Sequence, residues 1–277
     1  MLGVEAVPAL LFTILVVFVP NSPRWLITKR GRIEDAKAVL RIIDPNNVDA
    51  AVATIQAGHQ EHQSGFKQFI SGRYNFPIIL AFLFAFFNQL SGINAVIYYA
   101  PRIFNMTGMG ESTALLSSAG IGVVNLIFTI AGMFAIDRYG RRFLMYIGSV
   151  GYIVSLSVVA FAFYTEAFSG YIVPAFLFVF IASHAIGQGA VIWVFISEIF
   201  PNDVRSYGMS LGSSTHWVFA ALIAGIFPFF AGALGAAPIF AFFAFMMVFQ
   251  LLYVWKMMPE TKGVSLEELE TQLVKTP

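Results

Sequence analysis

Apolar residues run along this chain in long blocks separated by short polar stretches. The blocks cover residues 2–19, 76–100, 113–136, 143–164, 171–200, 207–231 and 237–255. Roughly 20 mostly apolar residues cross the hydrocarbon core of a bilayer as a helix, so the pattern predicts seven membrane-spanning helices. The first block reads as a true span rather than a secretory leader, because it lacks a basic start, carries Glu5 and runs into a Pro-rich basic stretch. Residues 20–75 form the one long polar interval. There, Ser22-Pro23 reads as a helix start, Ile33–Ile43 has apolar residues at helical spacing, and residues 48–62 give a second amphipathic helix. Two such short helices make a packing platform rather than a domain with a core of its own. Near the end, Ser265-Leu266-Glu267-Glu268 is a capping-box pattern opening a short acidic surface helix.

Composition changes this picture only by excluding alternatives. Hydrophobic residues make up 58% of the 277 residues and charged residues 11%, with a mean hydropathy of +0.77. A water-soluble domain of this size needs far more charge. With no cysteine, disulfides and thiolate metal sites are excluded. No nucleophile–base pair, metal cluster or phosphate loop is present, so the reading is not an enzyme, with no catalytic residue, metal, cofactor or nucleic-acid partner. The Gly-rich "GIGVVN" within a block reads as helix packing.

The positions of the cations set the expected topology. Arg24, Lys29, Arg30, Arg32, Lys37, Arg41, Lys67 and Arg73 lie between the first two blocks. Arg138, Arg141 and Arg142 lie between the third and fourth, Arg205 between the fifth and sixth, and Lys256, Lys262 and Lys275 after the seventh. All these gaps fall on one side, and only Arg102 falls on the other. The positive-inside rule then places the N-terminus outside and the C-terminus in the cytoplasm of a multi-pass cell (plasma or inner) membrane protein.

Polar groups inside the blocks are the candidate chemistry. "NQLSGINAVIYY", residues 88–99, follows an almost wholly apolar stretch and brings Asn88, Gln89 and Asn94 to membrane depth. An unsatisfied amide there costs several kcal/mol, so each must face protein, water or a solute. The plainest role for such amides is interhelical hydrogen bonding. On an unbroken helix, positions 89 and 94 diverge by about 140°. If Ser91-Gly92 loosens a turn, they could converge on one cavity, the setting in which irregular backbone is tolerated in a membrane. Asn125 sits mid-block in the third span. "SHAIGQGAVIWVF", 183–195, suggests a broken helix presenting Trp193, and His216-Trp217 follows in the next span. Amides, imidazole and indole without a carboxylate near mid-membrane suit a neutral, hydrogen-bonding solute.

At these residues the sequence resembles the sugar porter family of the major facilitator superfamily, which includes glucose facilitators and the bacterial xylose–proton symporter. "PNSPRWL" (20–26) is similar to the family's PESPRWL apart from Asn21. "QLSGINAVIYY", "DRYGRR" (137–142), "SEIFPNDVR" (197–205) and "PETKG" (259–263) carry the rest. The resemblance covers essentially the whole chain. It implies an all-α polytopic membrane protein in which the seven predicted spans correspond to the family's helices six to twelve, with the first five absent. Residues 1–19 would be family helix six, 20–75 the cytoplasmic loop with its helical segment, 76–257 the C-terminal six-helix bundle and 258–277 a cytoplasmic tail.

The resemblance further implies that Asn88, Gln89, Asn94, Asn125, Trp193 and His216 contact sugar. Asn88 replaces the family's usual Gln, and His216 stands where relatives have Asn or Gln. Ala185 and Ala220 stand where glucose facilitators carry Glu and Asn, so a hexose cannot be carried over from the resemblance. Asp137, Arg138, Arg142, Glu198 and Arg205 resemble the intracellular salt-bridge cluster that holds the bundles together in the outward-open state. The expected function is secondary transport of a monosaccharide or polyol by alternating access. The expected partners are the lipid bilayer and the missing N-terminal bundle, supplied by a longer chain or by a partner. The alternative is a truncated, non-transporting product or a sugar-binding membrane sensor.

Overall fold

The computed structural model describes residues 6–61, 66–166, 168, 171–264 and 266–274. It divides into two compact units, residues 1–64 and 65–277.

In the first unit, the leading apolar block appears as α1 (Ala6–Val16), an eleven-residue helix with no buried residue. The predicted span 1–19 is thus represented by a helix too short to cross a bilayer alone, and residues 1–5 lie outside the described residues. Three helices follow: α2 (Pro23–Arg30) and the amphipathic α3 (Ile33–Ile43) and α4 (Val48–Glu61). Ser22 is the N-cap of α2 with Pro23 in the first turn, although the Ser22 hydroxyl makes no capping bond. Leu26, Ile27, Ala36 and Val52 meet in a small core. Lys37 of α3 reaches Asp49 of α4 at 3.0 Å. Hydrogen bonding and charge attraction from Asp49, with a smaller attraction from Glu34, hold this ammonium above its ordinary pKa. Its contribution is therefore present at neutral pH and lost as pH rises through the raised value.

Among the described residues, the second unit holds six helical stretches long and apolar enough to cross a membrane: Asn75–Asn105, Glu111–Tyr139, Arg141–Tyr164, Ile172–Glu198, Arg205–Leu234 and Ala236–Lys256. Two of them are broken. The first consists of α6 (Asn75–Leu90) and α7 (Ile93–Asn105), separated at Gly92, whose φ of 81° lies in the left-handed region that favours glycine. Unbroken α8 (Glu111–Tyr139) and α9 (Arg141–Tyr164) follow. The next stretch consists of α10 (Ile172–His184), a π-helical turn over Ala185–Gly189, and α11 (Ala190–Glu198). The last two are α12 (Arg205–Leu234) and α13 (Ala236–Lys256), divided at Gly235. Short α5 (Phe66–Phe69) precedes the bundle and α14 (Leu266–Leu273) follows it. The capping box predicted at Ser265 falls on a residue outside the described ones.

Packing follows from side-chain size. The helix α13 lies along α9, α9 along α10, and α6 along α12. Stacked pairs such as Phe84–Phe195 and Phe163–Phe240 fill the wider gaps, with ring centroids 5.3 and 5.7 Å apart. Where helices come closest, glycine is required. A Cβ on Gly148 of α9 would lie 3.0 Å from the Cα of Gly187 in the π-turn and 3.1 Å from the carbonyl of Ser183. Both obstacles are backbone, so neither yields cheaply. Gly122 of α8 has open space around it. Gly148→Ala is therefore expected to destabilise the protein by about 1–3 kcal/mol through overpacking, while Gly122→Ala leaves stability unchanged or slightly raised. Thermal unfolding of the two variants in detergent checks the contrast.

Candidate functional site

The break at Gly92 is closed by local hydrogen bonds. The Ser91 hydroxyl donates to the Asn88 carbonyl at 2.6 Å and accepts from the Ile93 N–H at 3.3 Å. The Gly92 N–H donates to the Gln89 carbonyl at 2.9 Å. Phe243 of α13 sits against Gly92, so close that a Cβ there would lie 2.4 Å from the ring. The left-handed step turns α7 relative to α6 and brings together the two amides that a continuous helix would separate.

Gln89 is the hub of what results. It is fully buried. Its Nε2 donates to Asn88 Oδ1 at 2.9 Å, and its Oε1 accepts from Asn94 Nδ2 at 2.9 Å. Both ring nitrogens of His216, on α12, lie 3.2 Å from the same Gln89 Nε2, and the one without a proton can accept from it. Trp193 of α11 packs against His216 with ring centroids 5.3 Å apart and stays 37% exposed. Asn88, Gln89, Asn94, His216 and Trp193 are therefore in one connected group drawn from three spans. Asn125, partly exposed on α8, makes no hydrogen bond to it. Because Gln89 spends both amide hydrogens inside the protein, the groups left to present outward are Asn94, His216 and the Trp193 indole.

A second polar pair lies close by. The Tyr152 hydroxyl of α9 meets His184 Nδ1 of α10 at 2.5 Å, and Tyr152 is fully buried. Sequence reasoning passed over it, since a Tyr and a His 32 residues apart carry no spacing signal.

The charged residues at the helix ends form a separate cluster. Glu198, at the end of α11, receives Arg141 through two bonds, Nη2 to Oε1 at 2.8 Å and Nε to Oε2 at 3.1 Å. The Thr261 hydroxyl donates to Glu198 Oε2 at 2.6 Å. Glu260 caps the start of α9: its carboxylate accepts the backbone N–H of Arg141 at 2.9 Å and of Arg142 at 3.0 Å. This places a negative charge where the helix dipole favours one. Gly140 makes the approach possible, with φ of 90° and no Cβ to meet the Glu260 carboxylate 2.5 Å away.

The gate residues expected from the sequence are placed around this pair. Asp137 stands 3.5 Å from Arg141 with its side chain 81% exposed. The Arg138 carbonyl accepts from Lys262 Nζ at 2.7 Å. The guanidinium of Arg142 donates to the carbonyls of Val254 and Trp255 at the end of α13. Arg205 Nε donates to the Phe200 carbonyl at 3.3 Å. Sequence reasoning left out Arg141, Glu260 and Thr261, although two quoted motifs contain them. Adjacent residues on a helix point about 100° apart, so which arginine of the pair meets Glu198 depends on helix phase.

The profile of the family described as "Sugar (and other) transporter" matches residues 1–273. The chain belongs to this family, the sugar porters of the major facilitator superfamily. It is 37% identical to the probable metabolite transport protein CsbC of Bacillus subtilis, over 99% of this chain and 60% of that protein. It is 34% identical to the glucose transporter GlcP of Staphylococcus epidermidis, over 99% of this chain and 62% of that protein. The Escherichia coli D-xylose-proton symporter is 34% identical, over 98% and 56% respectively. Among solved structures, the proton:xylose symporter XylE bound to 6-bromo-6-deoxy-D-glucose superposes with a TM-score of 0.81 at 33% identity, over 98% of this chain and 58% of that one. The inward open conformation of XylE from E. coli superposes at 0.74. The chain thus spans about 60% of the length of the curated relatives it matches.

The ion pair generates a double-mutant test. Arg141→Met strands the Glu198 carboxylate, at a cost near the lower end of roughly 3–5 kcal/mol, because Glu198 remains 24% exposed. Arg141→Met combined with Glu198→Met strands no charge and is expected to be more stable than Arg141→Met alone. Unfolding temperatures of the three proteins in detergent measure the order.

Proposed function

We propose that this chain is the C-terminal part of a secondary transporter that moves a monosaccharide or polyol across the cell membrane by alternating access. Its C-terminus lies in the cytoplasm, and a second bundle completes the path. The reading rests most heavily on the connected group of Gln89, Asn94, His216 and Trp193, formed where two spans are broken or bent. Neutral side chains that both donate and accept fit a solute whose hydroxyls do the same. Names of the relatives point the same way: one is a glucose transporter and another a D-xylose-proton symporter. Coverage of about 60% of each relative accords with a missing half.

In this proposal Gln89 is the anchor. It holds Asn94 and His216 at fixed orientation, and a sugar hydroxyl exchanges with the bonds these groups make to one another. Trp193 offers its indole face to the C–H face of the ring. Asn88 supports Gln89, and Asn125 contributes from α8. At the cytoplasmic end, the Glu198–Arg141 pair with Thr261, the Glu260 cap, and the neighbouring Asp137, Arg138, Arg142 and Arg205 form the closure that opens to release sugar. Alternating access rocks this bundle against the other around the midplane site.

Gln89→Ala and Asn94→Ala, made in the complete native protein, are each expected to cost about 1–3 kcal/mol of sugar binding, because partners are left unpaired in a dry site. This appears as a KM raised roughly five- to hundredfold. Uptake with unchanged KM in both variants would remove these residues from the site. Sugar binding with no uptake in the native protein would favour the sensor reading.

A further inference from the structure

Three buried polar residues that the proposed sugar site does not use meet at the π-turn. Gln188, in the middle of Ala185–Gly189, donates through Nε2 to Gln250 Oε1 of α13. Gln250 Nε2 in turn donates to Ser149 Oγ of α9 at 2.8 Å. All three residues have no exposed surface. Gln188 Oε1 has no hydrogen-bond partner. Reversing the amide assignments reverses the direction of the bonds but still leaves one polar atom of Gln188 unpaired. A buried three-residue chain that is one bond short holds its turn less firmly than a complete network would.

The position of this chain gives it consequences. A π-turn fits an extra residue into a helix, and such turns recur at functional sites. There is no proline in Ala185–Gly189 to impose the bend. Gly187 is packed so tightly on α9 that a Cβ would lie 2.9 Å from the Cα of Gly148. The turn is thus held by close packing against α9 at Gly148 and against α8 at Gly132, and by the Gln188 amide, the one side-chain anchor among these. Everything C-terminal to it in this span is α11, nine residues long. That helix carries Trp193 against His216 near its start and Glu198 against Arg141 at its end. Resolving the π-turn to ordinary α-helix would remove one residue of phase, about 100°, and α11 would rotate both groups together.

We propose that Gln188, through Gln250 and Ser149, is a positioning residue for transport: it holds the π-turn and so sets where α11 places Trp193 and Glu198. The proposal deepens the transporter reading and rests on it for its uptake readout, but not for its structural one. Gln188→Met keeps length and removes the amide. The experiment exploits the absence of cysteine from this chain. Ser197→Cys, on the last turn of α11, is labelled with a membrane-impermeant thiol reagent from the cytoplasmic side, in the complete native protein with any cysteines outside this chain replaced by serine.

With Gln188→Met added, labelling is expected to rise at least about fivefold, the scale of a modest shift between two conformations. Uptake is expected to show Vmax falling by a similar factor and KM rising with it, because Trp193 moves together with Glu198. A merely structural role would lower the unfolding temperature and leave labelling and KM unchanged, and that result overturns the proposal. If Gln188→Met does not fold, the triple variant Gln188→Met/Gln250→Met/Ser149→Ala removes both amides and the hydroxyl they would strand, and the same labelling criterion applies to it. If the parent protein transports no sugar, the transporter reading fails, while the labelling ratio still decides the role of Gln188.

Discussion

Hydrogen-bond closure of the break at Ser91–Gly92 is the interaction on which the rest of this molecule depends. A span surrounded by hydrocarbon has no solvent to take up freed backbone groups. Here the Ser91 hydroxyl bridges the Asn88 carbonyl and the Ile93 N–H. Glycine supplies the left-handed step at position 92. Phe243 occupies the volume a side chain would have filled. Once the break is satisfied in this way, Asn94 can reach Gln89, and Gln89 can reach across to His216 on α12. Local chemistry at two residues thus determines which side chains from distant parts of the chain share a site.

The second interrupted span solves the same problem by a different route. At Ala185–Gly189 no residue adopts a left-handed step, and the interruption is a π-turn that keeps the backbone hydrogen-bonded while shifting helix phase. Small residues allow α9 to approach, and an amide chain ties the turn to α13 and back to α9. The two spans therefore differ in character. The Gly92 break is pinned by a packed ring and closed bonds, whereas the π-turn is held by a network with an unpaired end. The first interruption fixes the amides of Gln89 and Asn94, and the second sets the phase of the helix that carries Trp193 and Glu198.

Charge at the helix ends follows a further rule. Arg141 and Glu198 are largely withdrawn from water, and such a pair gains little over an apolar one unless its remaining valences are filled. Thr261 and the Ile136 carbonyl fill them. Glu260 is held by backbone N–H groups at the start of α9, where its charge is favourable without a cationic partner. Such an arrangement specifies one register of α9, α11 and the segment after α13.

Much of this was legible in the chain itself. Block length and hydropathy determined the six spans of the second unit to within a few residues, because a helix in hydrocarbon must satisfy its own backbone and needs a set length to cross. Glycine positions marked both interruptions, since the backbone there needs either a positive φ or room for a neighbouring helix. The amides, imidazole and indole stood out because hydrocarbon tolerates few of them. Pairing was not legible. That Arg141 rather than Arg138 or Arg142 meets Glu198, that Tyr152 meets His184, and that Gln188 meets Gln250 and not the Gln89 group all depend on the rotational phase of one helix against another. Phase is set by the sum of many small packing contacts spread over the whole bundle, and only the tertiary structure performs that sum.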